Sequence, residues 1–562
     1  MVRIACSYLV LACVCLILYF AYLGRGDLAG ESEGNYAEIP REMLETGEWV
    51  IHQLNYVPYL EKPPLFYWAT ALTYKAIGVN AFAARFWSAL PALLLVLSVF
   101  AFVRRVRDEE SALFSALTLA TSAGMIAMAR ISYMDMLLCL CTAGTFFSFY
   151  LALETSQSAG KKIWFGVFFV SLALAVLTKG LIGIALPGMG IFFYLATQKR
   201  WSEIKRIPWL WGVLLFVAIA LPWHLLAGIK NERFYWFYFI NEHVLRFLGR
   251  RMPKDYYEGS FYYQFLRVLL LFLPWTLCLP LLFFRKAKEF FTDRLNAYLL
   301  CWFFAFLFFY TISKAKANYY MMPGLPALAM LVGIHLRERI WSWASGKGWM
   351  VLTGLFLLAS VGIYGTLAIY PYPILKKVVV GAYPFLLCGT FLLTLGLLLS
   401  FFYALKENGK ASFACLIAGI TLGWLPLFAK DQIFEWRGSV QPLVRLIQAN
   451  QEPGTLLVLR GTFEKNSLLA FYLKKRFMIV SEQGDVGGDL DFGARFPQSK
   501  PYFLQWQDFL RNFGGKEKIL YVTYKDAEYG ELSGNHPSRC HLIARCANRL
   551  LISNFLPKTL KD

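Results

Sequence analysis

The sequence predicts a polytopic α-helical membrane protein with about thirteen spans and a small α/β domain at its C-terminus. Three observations carry that expectation. Of the 562 residues, 58% are hydrophobic and only 16% charged, with a mean hydropathy of +0.48; soluble domains carry about a quarter charged residues. Apolar runs of about 18–25 residues recur, each long enough to cross a ~30 Å hydrocarbon core. After residue 430 the runs shorten and polar residues separate them, as in a folded soluble domain.

In chain order the candidate spans lie near 5–23, 81–103, 110–128, 136–153, 163–178, 180–197, 207–227, 264–284, 295–312, 321–336, 349–370, 378–403 and 411–428. The first could pass for a secretory signal. Its apolar run is longer than a typical signal core and lacks a clear small-residue cleavage site, so a retained helix is expected. Basic clusters alternate with the spans: Arg104/Arg105/Arg107, Lys161/Lys162, Lys199/Arg200 with Lys205/Arg206, Arg285/Lys286/Lys288, Arg337/Arg339 and Lys406/Lys410. Positive charge gathers in cytoplasmic loops, which places the N-terminus inside and, with an odd number of spans, the tail outside.

Loops 24–80, 228–263 and 313–320 fall on the outer side. YAEIPREMLETG and PLFYWATALTYKA have helical spacing with one apolar face, which suits short helices lying in the interface. In the tail (431–562), TLLVLRG, RFMIV, KILYVTY and HLIARCANRLLIS read as strands, with NSLLAFYLKK and LQWQDFLRNF as helices between them. No internal repeat or low-complexity tract is evident.

The net charge of +20 lies largely in the loops, and no polar basic domain of the kind that binds nucleic acid precedes the tail. Nine of eleven cysteines sit in apolar runs; Cys540 and Cys546, in the tail, allow a disulfide in an oxidising compartment. No cysteine or histidine spacing matches a structural zinc site.

The outer loops concentrate chemistry that packing does not require. GESEGNYAEIPREML from Gly30 and YLEKPPL from Tyr59 hold Glu31, Glu33, Glu38, Glu61 and Lys62 beside Tyr36 and Tyr59. Solvated loop charges would look the same, but Asp135 in RISYMDMLL sits at the same end of the fourth span. Two such acids can divide base and orienting roles in a shared pocket; Asp135 can equally serve as a helix-start group favoured by the dipole. His243, beside Glu242 and Arg246, is either structural or, with Glu61, a divalent-metal ligand. Lys62, Arg246, Arg250 and Arg251 suit a phosphate; Arg250 and Arg251 suit anionic lipid headgroups equally well. Lys179 in LTKG can snorkel to the interface or reach a phosphate. Tyr319 and Tyr320 belong to an aromatic belt or donate a hydroxyl to that phosphate.

SEGNYAEIPREML at 32–44, YLEKPP at 59–64, RISYMDMLL at 130–138, LTKG at 177–180, NEHVLRF at 241–247 and SKAKANYYMMP at 313–323, in that order, resemble the bacterial aminoarabinose (lipid A) transferase family. That family belongs to the C-type membrane glycosyltransferases, with protein O-mannosyltransferases and oligosaccharyltransferases. The resemblance covers essentially the whole chain and implies a GT-C fold, with thirteen spans and a periplasmic terminal α/β domain. It implies an inverting transfer of a sugar, aminoarabinose or galacturonic acid among the options, from undecaprenyl phosphate to lipid A or core lipopolysaccharide. The site would lie at the periplasmic face of a bacterial inner membrane. In that frame Glu33 and Asp135 are the catalytic candidates, and Tyr36, Tyr59, Lys62, Lys179, Arg246 and Tyr320 the substrate-binding ones. Glu61 and His243 are candidates for a divalent metal, no other cofactor is implied, and a monomer is expected.

Two positions depart from the family pattern. Ser32 stands where the family has the aspartate generally assigned to catalysis, and Asn35 where an arginine is common. A phosphate acceptor is already ionised near neutral pH and needs no strong base; a hydroxyl acceptor would need Glu33 or Glu31 to take its proton. An O-mannosyltransferase-like enzyme, a secondary transporter and a non-catalytic lipid-binding protein are the rival readings. Transporters concentrate charge near the bilayer midplane, whereas these charges cluster at one surface.

Overall fold

The structure, a computed structural model, describes residues 2–252, 259–282, 292–342, 347–369, 383–429, 439–481, 496–497, 499–546 and 548–558. Helix α1 (Val2–Cys15) widens into π turns over Leu16–Phe20. The polar loop that follows folds as α2 (Glu31–Thr46), a two-residue hairpin β1 (Gln53–Leu54) and β2 (Val57–Pro58), and α3 (Leu65–Ile77). Both helices expected there are present. α4 (Ala81–Val106) starts on Asn80, whose side chain accepts from the Ala83 amide, and α5 (Glu109–Ala120) on Asp108, which accepts from Ser111. Each cap satisfies an amide that the helix itself cannot.

The span expected at 110–128 is α5 followed by α6 (Ala123–Ala129), bent by 61°. Then come α7 (Asp135–Glu154), α8 (Ser158–Lys179), α9 (Ile182–Thr197) and α10 (Trp209–Lys230). The region expected as one span at 264–284 is broken instead. α11 (Tyr263–Leu271) stops before Pro274, which has no amide to continue the ladder, and 3₁₀ turns run over Trp275–Leu282. The remaining apolar helices are α12 (Arg294–Ile312), α13 (Leu325–Ser342), α14 (Lys347–Ile369), α15 (Tyr383–Leu405) and α16 (Gly409–Ala429).

Among the described residues seven helices are long and apolar enough to cross a bilayer, eight with the bent pair, and four apolar helices are shorter. Each of the thirteen expected windows coincides with apolar helix. The windows expected at 110–128 and 264–284 are bent or broken within their length.

The tail holds α17 (Gln441–Asn450), β3 (Leu456–Arg460), α18 (Ser467–Leu473), β4 (Met478–Ser481), β5 (Phe503–Gln505), α19 (Trp506–Phe513), β6 (Ile519–Thr523), α20 (Asp526–Asn535), β7 (His541–Cys546) and β8 (Arg549–Ser553). The sheet order is β5-β4-β3-β6-β8-β7, parallel from β5 to β6 and antiparallel across β8 and β7. HLIARCANRLLIS, read as a single strand, is this closing hairpin. Strand alternation sorts the side chains into two cores. Val458, Val480, Ile519, Tyr521, Leu550 and Ile552 pack with Phe509 and Phe513 in the tail's own core. Their neighbours Leu457, Leu459, Ile479, Leu520, Val522 and Leu551 join the core that runs on into the helical bundle. The expected boundary at 430/431 lies outside the described residues, but the two parts share one core. The join is tight at Gly34 of α2, where a Cβ would come 2.3 Å from Ser467 Oγ. Cys540 and Cys546 both remain thiols.

Candidate active site

Helix α2 begins after Gly30 and ends on Gly47, whose left-handed conformation (φ +70°) returns its amide to Met43. One turn of it faces two directions. Ser32, Asn35 and Tyr36 line a cavity of about 430 Å³. Glu33, rotated by one residue, points away from that cavity. It accepts two bonds from Arg85 (Nε 2.7 Å, Nη2 3.0 Å) and one each from the Ala29 and Ser132 amides (2.8 and 3.0 Å). Glu38 is also buried away from the cavity, held by Arg41 at 2.7 Å from both Nε and Nη2. The side chain of Glu31 is outside the described set.

Tyr36 is fixed by rings on every side: Tyr67 stacked at 5.7 Å, Phe66 edge-on at 5.7 Å and Tyr133 at 4.6 Å. Burial pushes its hydroxyl well above the ordinary tyrosine range, with Tyr133 adding to the effect. Tyr133 touches Tyr319 through its hydroxyl, and the Lys179 ammonium lies 5.1 and 5.3 Å from the Tyr319 and Tyr320 rings. Lys179 also donates to Asp135 Oδ1 at 2.6 Å. Asp135 does not line the cavity; its second oxygen is buried without a partner beneath Lys179.

Across the cavity, Glu61 and Glu242 are tied into one charge network. Glu61 accepts from Tyr59 (3.0 Å), Lys62 (3.4 Å) and Arg251 Nη2 (2.7 Å). Glu242 accepts from Lys62 (3.1 Å), Arg246 Nη1 (2.9 Å) and Arg251 Nε. Burial alone would raise the Glu242 carboxyl; Arg251, Lys62 and Arg246 outweigh it and hold the group below the usual range. Among the described residues these three cations face two carboxylates, and Lys62 and Arg246 line the cavity. Cations lining a recess of this kind suit an anion, which they can bind through charge-assisted hydrogen bonds. Arg251 is buried and clamps Glu61 to Glu242, which corrects the headgroup reading for that residue; Arg250 is exposed. Lys254, in the same basic run, lies outside the described residues.

Glu242, His243 and Arg246 are presented by π turns over Trp236–Leu245. His243 Nε2 accepts the Leu181 amide (3.0 Å), so Nδ1 carries the proton and donates to the Tyr238 carbonyl (2.5 Å). Burial lowers its pKa and keeps it neutral. The approach depends on Gly180 (φ +81°), where a Cβ would come 2.3 Å from that nitrogen. With both ring nitrogens used and Glu61 held by cations, this pair does not fit a metal. Among the described residues no group of three or more histidine, cysteine or acidic side chains is placed to hold one.

The structure thus gathers Tyr36, Tyr59, Glu61, Lys62, Lys179, Arg246, His243 and Tyr320 around one cavity and leaves Glu33 and Asp135 off its surface. Sequence reasoning passed over Ser32, Asn35 and Tyr133 as lining residues. Tyr133 could have been found from its place two residues before Asp135 at the start of α7. Apolar side chains such as Leu181, Val244 and Phe309 complete the wall, so the cavity offers cations, hydroxyls and an apolar flank, as a phosphate on a lipid chain requires.

The family of dolichyl-phosphate-mannose-protein mannosyltransferases matches residues 6–238. An undecaprenyl phosphate-α-4-amino-4-deoxy-L-arabinose arabinosyl transferase of Enterobacter sp. (strain 638) is 29% identical over 328 residues, which span 58% of this chain and 58% of that protein. Its counterpart in Aeromonas hydrophila is 27% identical across 92% of this chain and 94% of its own. The crystal structure of ArnT from Cupriavidus metallidurans bound to undecaprenyl phosphate superposes with a TM-score of 0.83, at 25% identity and 99% coverage of both chains. In sequence, in fold and in its gathered cations and tyrosines, the chain is similar to the aminoarabinose transferases among the C-type membrane glycosyltransferases.

Proposed function

We propose that the protein transfers a sugar from undecaprenyl phosphate to lipid A at the periplasmic face of a bacterial inner membrane, acting as a single chain. The observation that carries this reading is that Lys62, Lys179 and Arg246 line one cavity together with an apolar flank. The donor we name is 4-amino-4-deoxy-L-arabinose on undecaprenyl phosphate, the one in the names of the relatives above.

In a single inverting displacement an acceptor oxygen attacks the anomeric carbon from the face opposite the phosphate. The bond to the phosphate oxygen breaks, and undecaprenyl phosphate leaves with the electron pair. Lys62, Arg246 and Lys179 are placed to neutralise the charge that develops on the leaving group, where fixed cations act without reorganisation. Asp135 positions Lys179 through their 2.6 Å contact.

The acceptor we propose is a phosphate oxygen. The two carboxylates that line the cavity, Glu61 and Glu242, are both engaged by cations, and the α2 wall is the neutral set Ser32, Asn35 and Tyr36. A phosphate monoester is already largely ionised near pH 7, so transfer to it needs no base. Purified protein should be incubated with lipid A and donors carrying aminoarabinose, galacturonic acid or a hexose, and the mass of lipid A followed. Gain of one sugar on a phosphate, removed when lipid A is first dephosphorylated, is the expected result. Transfer unaffected by dephosphorylation would reject the phosphate acceptor, and no mass gain with any donor would reject the reading.

A further inference from the structure

Glu33 leads to a second cavity, of about 170 Å³, on the other side of the first turn of α2. It lies between Tyr22 and Leu23 after α1, the end of α6 at Arg130, and Trp424 and Phe428 near the end of α16. Its charged lining is Arg25, Asp27, Glu33, Arg85 and Arg130. Glu33 is consumed by Arg85, and Asp27 accepts the Ser439 hydroxyl through one carboxylate oxygen. Arg25 lies 5.5 Å over the Tyr22 ring.

Arg130 is different. Its guanidinium lies 3.7 Å from the centre of the Phe428 ring and donates to the Leu18 carbonyl at 3.2 Å. Among the described residues no carboxylate stands within ion-pair distance of it. A guanidinium has five donors and stays charged at any ordinary pH. Half-buried beside a cavity, one that is stacked but not neutralised leaves most of those donors for an anion. The cavity's other walls are aromatic and aliphatic and occur where three apolar helices end, the environment of a lipid headgroup rather than of a free ion.

We propose that this cavity is a second lipid-phosphate site, in which Arg130 binds the phosphate and Tyr22, Trp424 and Phe428 cover the adjoining part of the lipid. The occupant is either an anionic phospholipid or a phosphate of the acceptor lipid, since both present the same group. The site does not depend on which sugar is transferred.

Native mass spectrometry of the full chain in detergent, with dihexanoyl phosphatidic acid as probe, tests it. Two molecules should bind wild type, one Lys62→Ala and one Arg130→Gln. The second site should weaken about 10- to 100-fold in Arg130→Gln, the loss expected for one charge-assisted contact, and Arg130→Lys should keep it. Equal occupancy in wild type and Arg130→Gln overturns the site. So does Lys62→Ala with no bound lipid, an arm that leaves Arg130 native and does not require Arg130→Gln to fold. Dihexanoyl phosphatidylcholine binding as tightly as phosphatidic acid, or inorganic phosphate competing as well as the lipid, overturns the lipid-phosphate assignment. Transfer that falls in Arg130→Gln at limiting lipid A identifies the acceptor as occupant, and unchanged transfer identifies a phospholipid; either supports the site.

Discussion

Ser32 and Glu33 are adjacent in sequence and face different cavities, because one residue turns an α-helix by about 100°. The sequence made Glu33 the nearest acid to the acceptor. In the structure all of its reach goes into Arg85 and two backbone amides, and Ser32 occupies the cavity wall. Glu33→Gln should therefore act on stability. Breaking one partner out of a buried pair costs on the order of 3 kcal/mol, so the melting temperature should fall while kcat/KM of the folded protein stays within about threefold. A normal melting temperature with a ~10²-fold or larger loss of kcat would return Glu33 to the role of general base. Which residues carry chemistry was legible from their type and their concentration in two loops. Which face of the helix each would take was not, since only the contact with Arg85, fifty-two residues away, decides it.

The element that organises the charge network is the run of π turns at 236–245, which a 3.6-residue periodicity does not reveal. The hairpin loop opposite it carries His52, packed against the Tyr67 and Trp223 rings at 4.7 and 5.9 Å. Burial pushes the His52 pKa down to about 3. Its unfolded value is about 6.5, so the fold keeps it neutral where the unfolded chain would be protonated. Its contribution is then complete above about pH 6.5 and lost progressively as pH falls toward 3. Between pH 7.5 and 4.5 this amounts to about 2–3 kcal/mol, read as a falling melting temperature; His52→Leu should flatten that fall. An equally steep fall in the variant would assign the acid sensitivity to other groups. The helices α2 and α3 were legible from their apolar faces. The closing hairpin of the tail was not, because a turn of two or three residues inside HLIARCANRLLIS carries no glycine or proline to mark it.

At the scale of the whole molecule, apolar length located the helices but could not tell a lipid-facing span from a helix packed inside the bundle, since both are hydrophobic. The shared core of bundle and tail was likewise hidden, because alternation shows that a strand has two faces and not what covers each. Reporter fusions should place Arg105 and Lys406 inside and the tail outside, as the basic loops require; a tail found inside would put the cavity on the wrong side of the membrane for the proposed acceptor. The central claim is that the cavity at Lys62 performs sugar transfer from a lipid phosphate. Its most direct test is to follow undecaprenyl phosphate release and lipid A mass together in proteoliposomes, for wild type and Lys62→Ala. The account predicts equimolar release and gain in wild type, and a loss of about 10- to 100-fold in the variant at an unchanged melting temperature. Lipid A that never gains mass, or a variant that works as fast as wild type, would contradict it.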